Sequence, residues 1–175
     1  MVRSRQKKIG LFGGSFDPPH QGHLKISKIA INKLFLDEVY WCLTKKNPFK
    51  KKALFSLSNR IKKSRLLTAR IKKIKVKYFE DKVKSNSSID LIKYLYKNSK
   101  KTEFFLIIGS DNLINFHKWK NSALLAKLIK IVVFARKDYD EKAKKSAITK
   151  KVKKIIFIKN KHINISSTQI RRKLI

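Results

Sequence analysis

Residues 13–23 read GGSFDPPHQGH, which gathers three of the chain's five glycines, two of its three prolines and two of its four histidines. Gly13 and Gly14 follow an apolar run and offer backbone amides with no side chain in the way. A helix starting just beyond adds the positive end of its dipole, so the segment suits an anion, and a phosphate above all. Pro18 and Pro19 stiffen the loop and bias Asp17 toward an extended backbone. His20 and His23 are three residues apart, and with a helix beginning near Gly22 both rings face one bound group. Two other readings stay open: histidines that merely cap a helix, and histidines that bind a metal. For a metal, the remaining soft donors are His117, His162 and Cys42, each alone in sequence, so no metal site is expected. Neither G-x-G-x-x-G nor G-x-x-x-x-G-K-[ST] occurs.

Such a loop needs a strand before it and a helix after it, and the hydrophobic pattern supplies both. KIGLFGG reads as a strand, HLKISKIAINKLF as a helix, and VYWCLT as a strand buried on both faces. LSNRIKKSRLLTARI returns to the helical period with Ser58 as the expected N-cap, and IKVKYFE alternates like a strand. SSIDLIKYLYKN is helical with Ser87 or Ser88 as cap, EFFLIIG is a second fully apolar strand, and NSALLAKLI is a helix. KIVVFAR and KIIFIK are strands, and SSTQIRRKL opens a last helix. Residues 45–56 and 137–151 are the most loop-like. Alternation from end to end predicts an α/β fold: a Rossmann-like, doubly wound, mainly parallel sheet of five to six strands with helices on both faces. Residues 1–175 are expected to form a single domain. Ligands bind such sheets beyond the carboxyl ends of the strands, which directs attention to residues 13–23, 44–50, 109–119, 136–138 and 162–171.

Forty-five Lys plus Arg against eleven Asp plus Glu give a net charge of +34. A surface of this kind attracts polyanions whatever its task. The lysines are spread over the whole length, with no zinc-finger spacing and no aromatic platform for single strands. Solvated positions that have drifted to lysine explain this better than a dedicated nucleic-acid module, so no specific nucleic-acid partner is expected. No apolar run approaches the roughly 20 residues that span a bilayer. The basic, then apolar, start is too short for a signal peptide. The lone Cys42 excludes an internal disulfide, and a cytoplasmic location is expected.

GGSFDPPHQGHL resembles the first signature of the H-x-G-H nucleotidyltransferases, and ISSTQIR near the other end resembles their second. Between them VYWCLTKKNPFK, SNSSIDLIKYL, FFLIIGSDNLINFHKW and IVVFAR are similar to the bacterial nicotinate-nucleotide adenylyltransferase family, so the likeness covers nearly the whole chain. The resemblance implies transfer of AMP from ATP to nicotinate mononucleotide, giving nicotinate adenine dinucleotide and pyrophosphate. It implies that His20, His23 and Arg171 act on the transferring phosphate as cationic or donor groups. Gly13, Gly14, Ser15, Phe16, Arg136, Ser167 and Thr168 would complete the ATP site. Asp111 and Trp119 would lie at the mononucleotide, the indole stacking on the pyridine, with the amides at Ser87 and Ser88 receiving the carboxylate and Lys50 near the phosphates. Mg²⁺ would arrive with ATP, because no dedicated carboxylate cage is visible. Homo-oligomerisation stays open.

Bland roles exist for several of these residues. Trp119 could be a core aromatic, Asp111 the N-cap of a short helix, Ser88 a simple cap and Lys50 solvated surface. The chain departs from the family pattern where Thr often replaces Ser88 and where Pro-Gly often follows Arg136. The rival within the class is pantetheine-phosphate adenylyltransferase, against which GSDNLINFHKW and NPFK count; the rival outside it is a basic nucleic-acid-binding module.

Overall fold

The computed structural model describes residues 5–46, 53–136, 138–146, 148–149, 152, 154–160 and 165–174. Six strands form one sheet: β1 (Lys7–Gly14), β2 (Glu38–Leu43), β3 (Ile74–Tyr78), β4 (Thr102–Gly109), β5 (Lys130–Phe134) and β6 (Ile155–Ile158). Their order is β3-β2-β1-β4-β5-β6 and every pairing is parallel. The chain builds outward from β1 to one edge, then crosses to β4 and builds to the other. The order therefore reverses between β1 and β4, and a crevice opens at their carboxyl ends.

The helices are α1 (Gln21–Leu34), α2 (Leu57–Thr68), α3 (Glu80–Val83), α4 (Ser88–Asn98), α5 (Ser110–Ile114), α6 (Ser122–Leu128), α7 (Asp140–Lys144) and α8 (Ser167–Arg172). The period-2 geometry of a strand explains why FFLIIG reads as unbroken apolar sequence. Phe104, Leu106 and Ile108 join Ile89, Ile92 and Leu125 in a core on one face. Phe105 and Ile107 join Leu24, Ala30 and Ile31 of α1 in a second core on the other face. Gly10 leaves room for side chains over β1: a Cβ there would meet Ile107 Cδ1 of β4 at 2.7 Å and Leu36 Cδ1, in the turn after α1, at 2.9 Å.

Two local expectations are corrected. Ser56, not Ser58, caps α2, its Oγ accepting from the Asn59 N–H, because Leu54 and Phe55 just before it are tied to Asp17 and set the helix start. Within the stretch expected to be loop, α7 forms around the buried Ala143, with Asp140 Oδ1 accepting from the Arg136 N–H. Among the described residues, no helix is long and apolar enough to cross a membrane.

Candidate active site

The loop after β1 is held from beneath. Phe16, 2% exposed, takes a left-handed φ of 48° and stacks on Trp41, ring centroids 4.8 Å apart at 19°. Trp41 Nε1 donates to Ser27 Oγ (2.8 Å), and Ser27 donates to His23 O (2.9 Å), so a buried chain of bonds sets the start of α1. Gly13 is the opposite case: a Cβ there would meet nothing within 4 Å, so the space beside it is open.

His20 and His23 cap α1 and pair with each other. His20 Nδ1 accepts from the Gly22 N–H (3.1 Å), and His23 Nδ1 accepts from the His20 N–H (3.1 Å). Both bonds place the ring proton on Nε2. The rings lie 3.8 Å apart between centroids. Burial pushes the His20 imidazole down to about 4, and the Arg136 charge pushes the same way. Of the two expected possibilities, cation or donor, His20 takes the second: near neutral pH it is a neutral N–H donor, because desolvation penalises the charged ring. Capping therefore occupies only Nδ1 of each ring and leaves Nε2 to carry the proton.

The far end of the chain docks onto this loop. Ser167 Oγ donates to Pro18 O at 2.9 Å. Arg171 Nη1 donates to Asp17 O and lies 3.4 Å from Asp17 Oδ2, while Nη2 donates to Thr168 Oγ1 at 3.1 Å. Asp17 is 3% exposed, and its carboxylate also accepts from the Leu54 N–H (2.8 Å) and the Phe55 N–H (2.9 Å). It thus joins the β1 loop, the entry to α2 and helix α8. Sequence reasoning gave Asp17 only a backbone preference, because its partners are amides dozens of residues away. Arg60 was missed altogether; buried in α2, it donates to carbonyls of Ser15, Thr44, Lys45 and Phe55. Its one signal was a basic residue at a helix position that the apolar period assigns to the interior.

Beyond β4 and β5 a second group assembles. Arg136 Nη1 pairs with Asp111 Oδ2 at 3.3 Å, and its N–H donates to Ser110 Oγ at 3.0 Å. Gly109 gives these side chains their room, since a Cβ would meet Asp111 Oδ1 at 2.4 Å and Arg136 Nε at 3.0 Å. Asp111 is not the cap of α5, whose N-cap is Gly109; its Oδ1 is buried without a hydrogen bond among the described residues. Trp119 is half-buried, 5.2 Å from Phe116 between ring centroids, and packs against the first core. Ser87 is the N-cap of α4 and Ser88 its first residue. Lys120 Nζ, beside Trp119, reaches Asp90 Oδ2 at 2.9 Å, and Ser87 Oγ donates to the same oxygen at 2.6 Å. The Ser87, Lys120 and Ser85 donors hold the Asp90 carboxyl well below the usual carboxylate range. This pair links the segments carrying Ser87 and Trp119.

The structure thus joins Gly13, Gly14, Ser15, Phe16, His20, His23, Ser167, Thr168 and Arg171 around one loop, with Arg136 close enough to act on His20. Lys50 and His162 lie outside the described residues. Among the described residues, no group of three or more His, Cys, Asp or Glu could hold a metal ion. An open depression of about 320 Å³ along β3, lined by Arg65, Lys72, Lys75 and Lys77, contains none of these residues.

A parallel sheet whose crevice presents amides, neutral imidazoles and a guanidinium is the setting of a nucleotidyltransferase. A family model described as cytidylyltransferase-like matches residues 11–173. The "Probable nicotinate-nucleotide adenylyltransferase" of Pelagibacter ubique is 46% identical over 173 residues, covering 98% of this chain and 96% of its own. That of a Nitratiruptor species is 36% identical over 165 residues, 94% of this chain and 87% of its own. The chain belongs to the cytidylyltransferase-like family and, within it, to the nicotinate-nucleotide adenylyltransferases. Its fold is similar to the structure of Plasmodium falciparum nicotinic acid mononucleotide adenylyltransferase complexed with NaAD. The TM-score is 0.79 at 21% identity, over 95% of this chain and 83% of that one.

Proposed function

We propose that this enzyme moves AMP from ATP to nicotinate mononucleotide, releasing pyrophosphate and forming nicotinate adenine dinucleotide in NAD biosynthesis. The observation that carries this reading is the seating of α8 on the β1 loop, which brings Arg171 and Ser167 to the segment bearing His20 and His23. The attacking phosphate oxygen is already ionised at neutral pH, so no general base is required. The work is to bring two anions together in line and to stabilise charge moving onto pyrophosphate; positioning alone can supply about 7–11 kcal/mol. In this reading the amides at Gly13, Gly14, Ser15 and Phe16 and the Nε2–H groups of His20 and His23 receive phosphate oxygens. Arg171 and Arg136 supply charge, with Ser167 and Thr168 beside them. Lys50, Ser87, Ser88, Asp111 and Trp119 serve the mononucleotide.

Arg171 and Arg136 are both paired with carboxylates, Asp17 and Asp111. Those pairs hold the guanidinium groups in place before the polyphosphate arrives. Mg²⁺ would come with ATP and supply charge neutralisation of the triphosphate; the Asp17 carboxylate is already committed to amides and Arg171. The reaction is assigned to the cytoplasm. The test is pyrophosphate release with ATP and Mg²⁺, offering nicotinate mononucleotide, nicotinamide mononucleotide and phosphopantetheine in parallel. The first is expected to give clearly the highest kcat/KM; a preference for phosphopantetheine would assign the chain to the other branch.

A further inference from the structure

Arg60 stands in the first turn of α2 with 1% of its surface exposed. Nε donates to Phe55 O (3.0 Å), Nη1 to Ser15 O (2.6 Å) and Thr44 O (2.7 Å), and Nη2 to Lys45 O (3.0 Å). These carbonyls lie on the segments that leave β1, leave β2 and enter α2. A buried cation held by neutral carbonyls is a costly way to fill space. Only a planar, many-pronged donor can serve three segments at once.

A trans peptide points its N–H opposite to its C=O. The pattern is visible at Thr44, whose carbonyl faces Arg60 while the Lys45 N–H of the same peptide donates outward to Glu80. By the same geometry, drawing Ser15 O inward turns the Phe16 N–H away from Arg60. Phe16 is held from its other side by its left-handed φ and its stacking on Trp41. Two independent restraints therefore set the 15–16 peptide, between the glycines and the histidines.

We propose that Arg60 is a positioning residue for the transfer step: through Ser15 O it presents the Phe16 N–H to the polyphosphate, and through Thr44 and Lys45 it holds the β2 loop in register. The proposal rests on the polyphosphate lying against the β1 loop, as assigned above. Arg60→Lys keeps the charge but loses the fork. Its kcat should fall about 10–100-fold while both KM values change little, the pattern of lost alignment in the transition state. In Arg60→Ala, added guanidinium should restore part of the rate and methylammonium should not. A lower melting temperature with unchanged kcat per folded molecule would overturn the proposal, since a residue serving stability alone gives that result. The unsubstituted enzyme supplies a measurement independent of any variant's folding. The ¹H–¹⁵N resonance of the Phe16 amide should shift when a non-hydrolysable ATP analogue and Mg²⁺ are added, and an unmoved resonance would also overturn the proposal. If that resonance shifts and phosphopantetheine, but no mononucleotide, supports pyrophosphate release, the functional reading fails and the positioning role stands.

Discussion

His20 shows how capping and burial together fix the state of one side chain. Its Nδ1 belongs to the helix start and its Nε2–H remains as a donor, and burial keeps the ring neutral. The folded-state value of about 4 lies below the 6.5 of an unperturbed ring, so between those two pH values the unfolded chain binds more protons. Stability should therefore rise with pH across that window, and His20→Asn should flatten the rise; urea melts from pH 4 to 7 measure it. kcat should not lose the His20 contribution until the pH approaches 4. His23→Ala should lower kcat far more than it raises either KM, by an amount equivalent to about 2.7–4 kcal/mol for one preorganised donor. Near-normal turnover in that variant would remove His23 from the transfer step. Trp119→Ala should raise the KM for nicotinate mononucleotide and leave that for ATP unchanged. Equal KM values would return this half-buried ring to a packing role alone.

At the scale of elements, Asp17 joins three segments that no secondary structure connects. Asp17→Asn keeps the shape but removes the charge that pairs with Arg171 and faces an amide toward two N–H donors. It should cost about 1–3 kcal/mol and loosen α8 first, seen as faster proteolysis within residues 165–174 before global unfolding. The strands were legible in the sequence because a parallel sheet covered on both faces leaves unbroken apolar runs such as FFLIIG. The start of α2 was not, since Ser56 and Ser58 are equally good caps and the choice depends on where Asp17 grips the chain. Helix α7 was invisible because DEKAK is too short to show a period. Much of the candidate site was legible as residues and little of it as contacts. The two signatures announce which groups gather, but the carbonyls that hold the buried Arg60 are found only in the fold.

The molecule as a whole carries +34. Like charges on one small body repel, and the same field draws polyphosphates toward the crevice. Added salt screens both effects, with a Debye length of about 10 Å at 0.1 M. Raising the ionic strength should therefore raise the melting temperature and at the same time raise the KM for ATP. A KM that ignores salt would mean the lysines lie too far from the crevice to matter.

The clasp between Asp17 and Arg171 joins residues 154 positions apart. Synthesis runs from the amino end, so a polypeptide still being made can lay down all six strands and yet lack the guanidinium its opening loop requires. In the proposed reading, competence to handle nucleotide then comes only once helix α8 has been made and seated on the β1 loop.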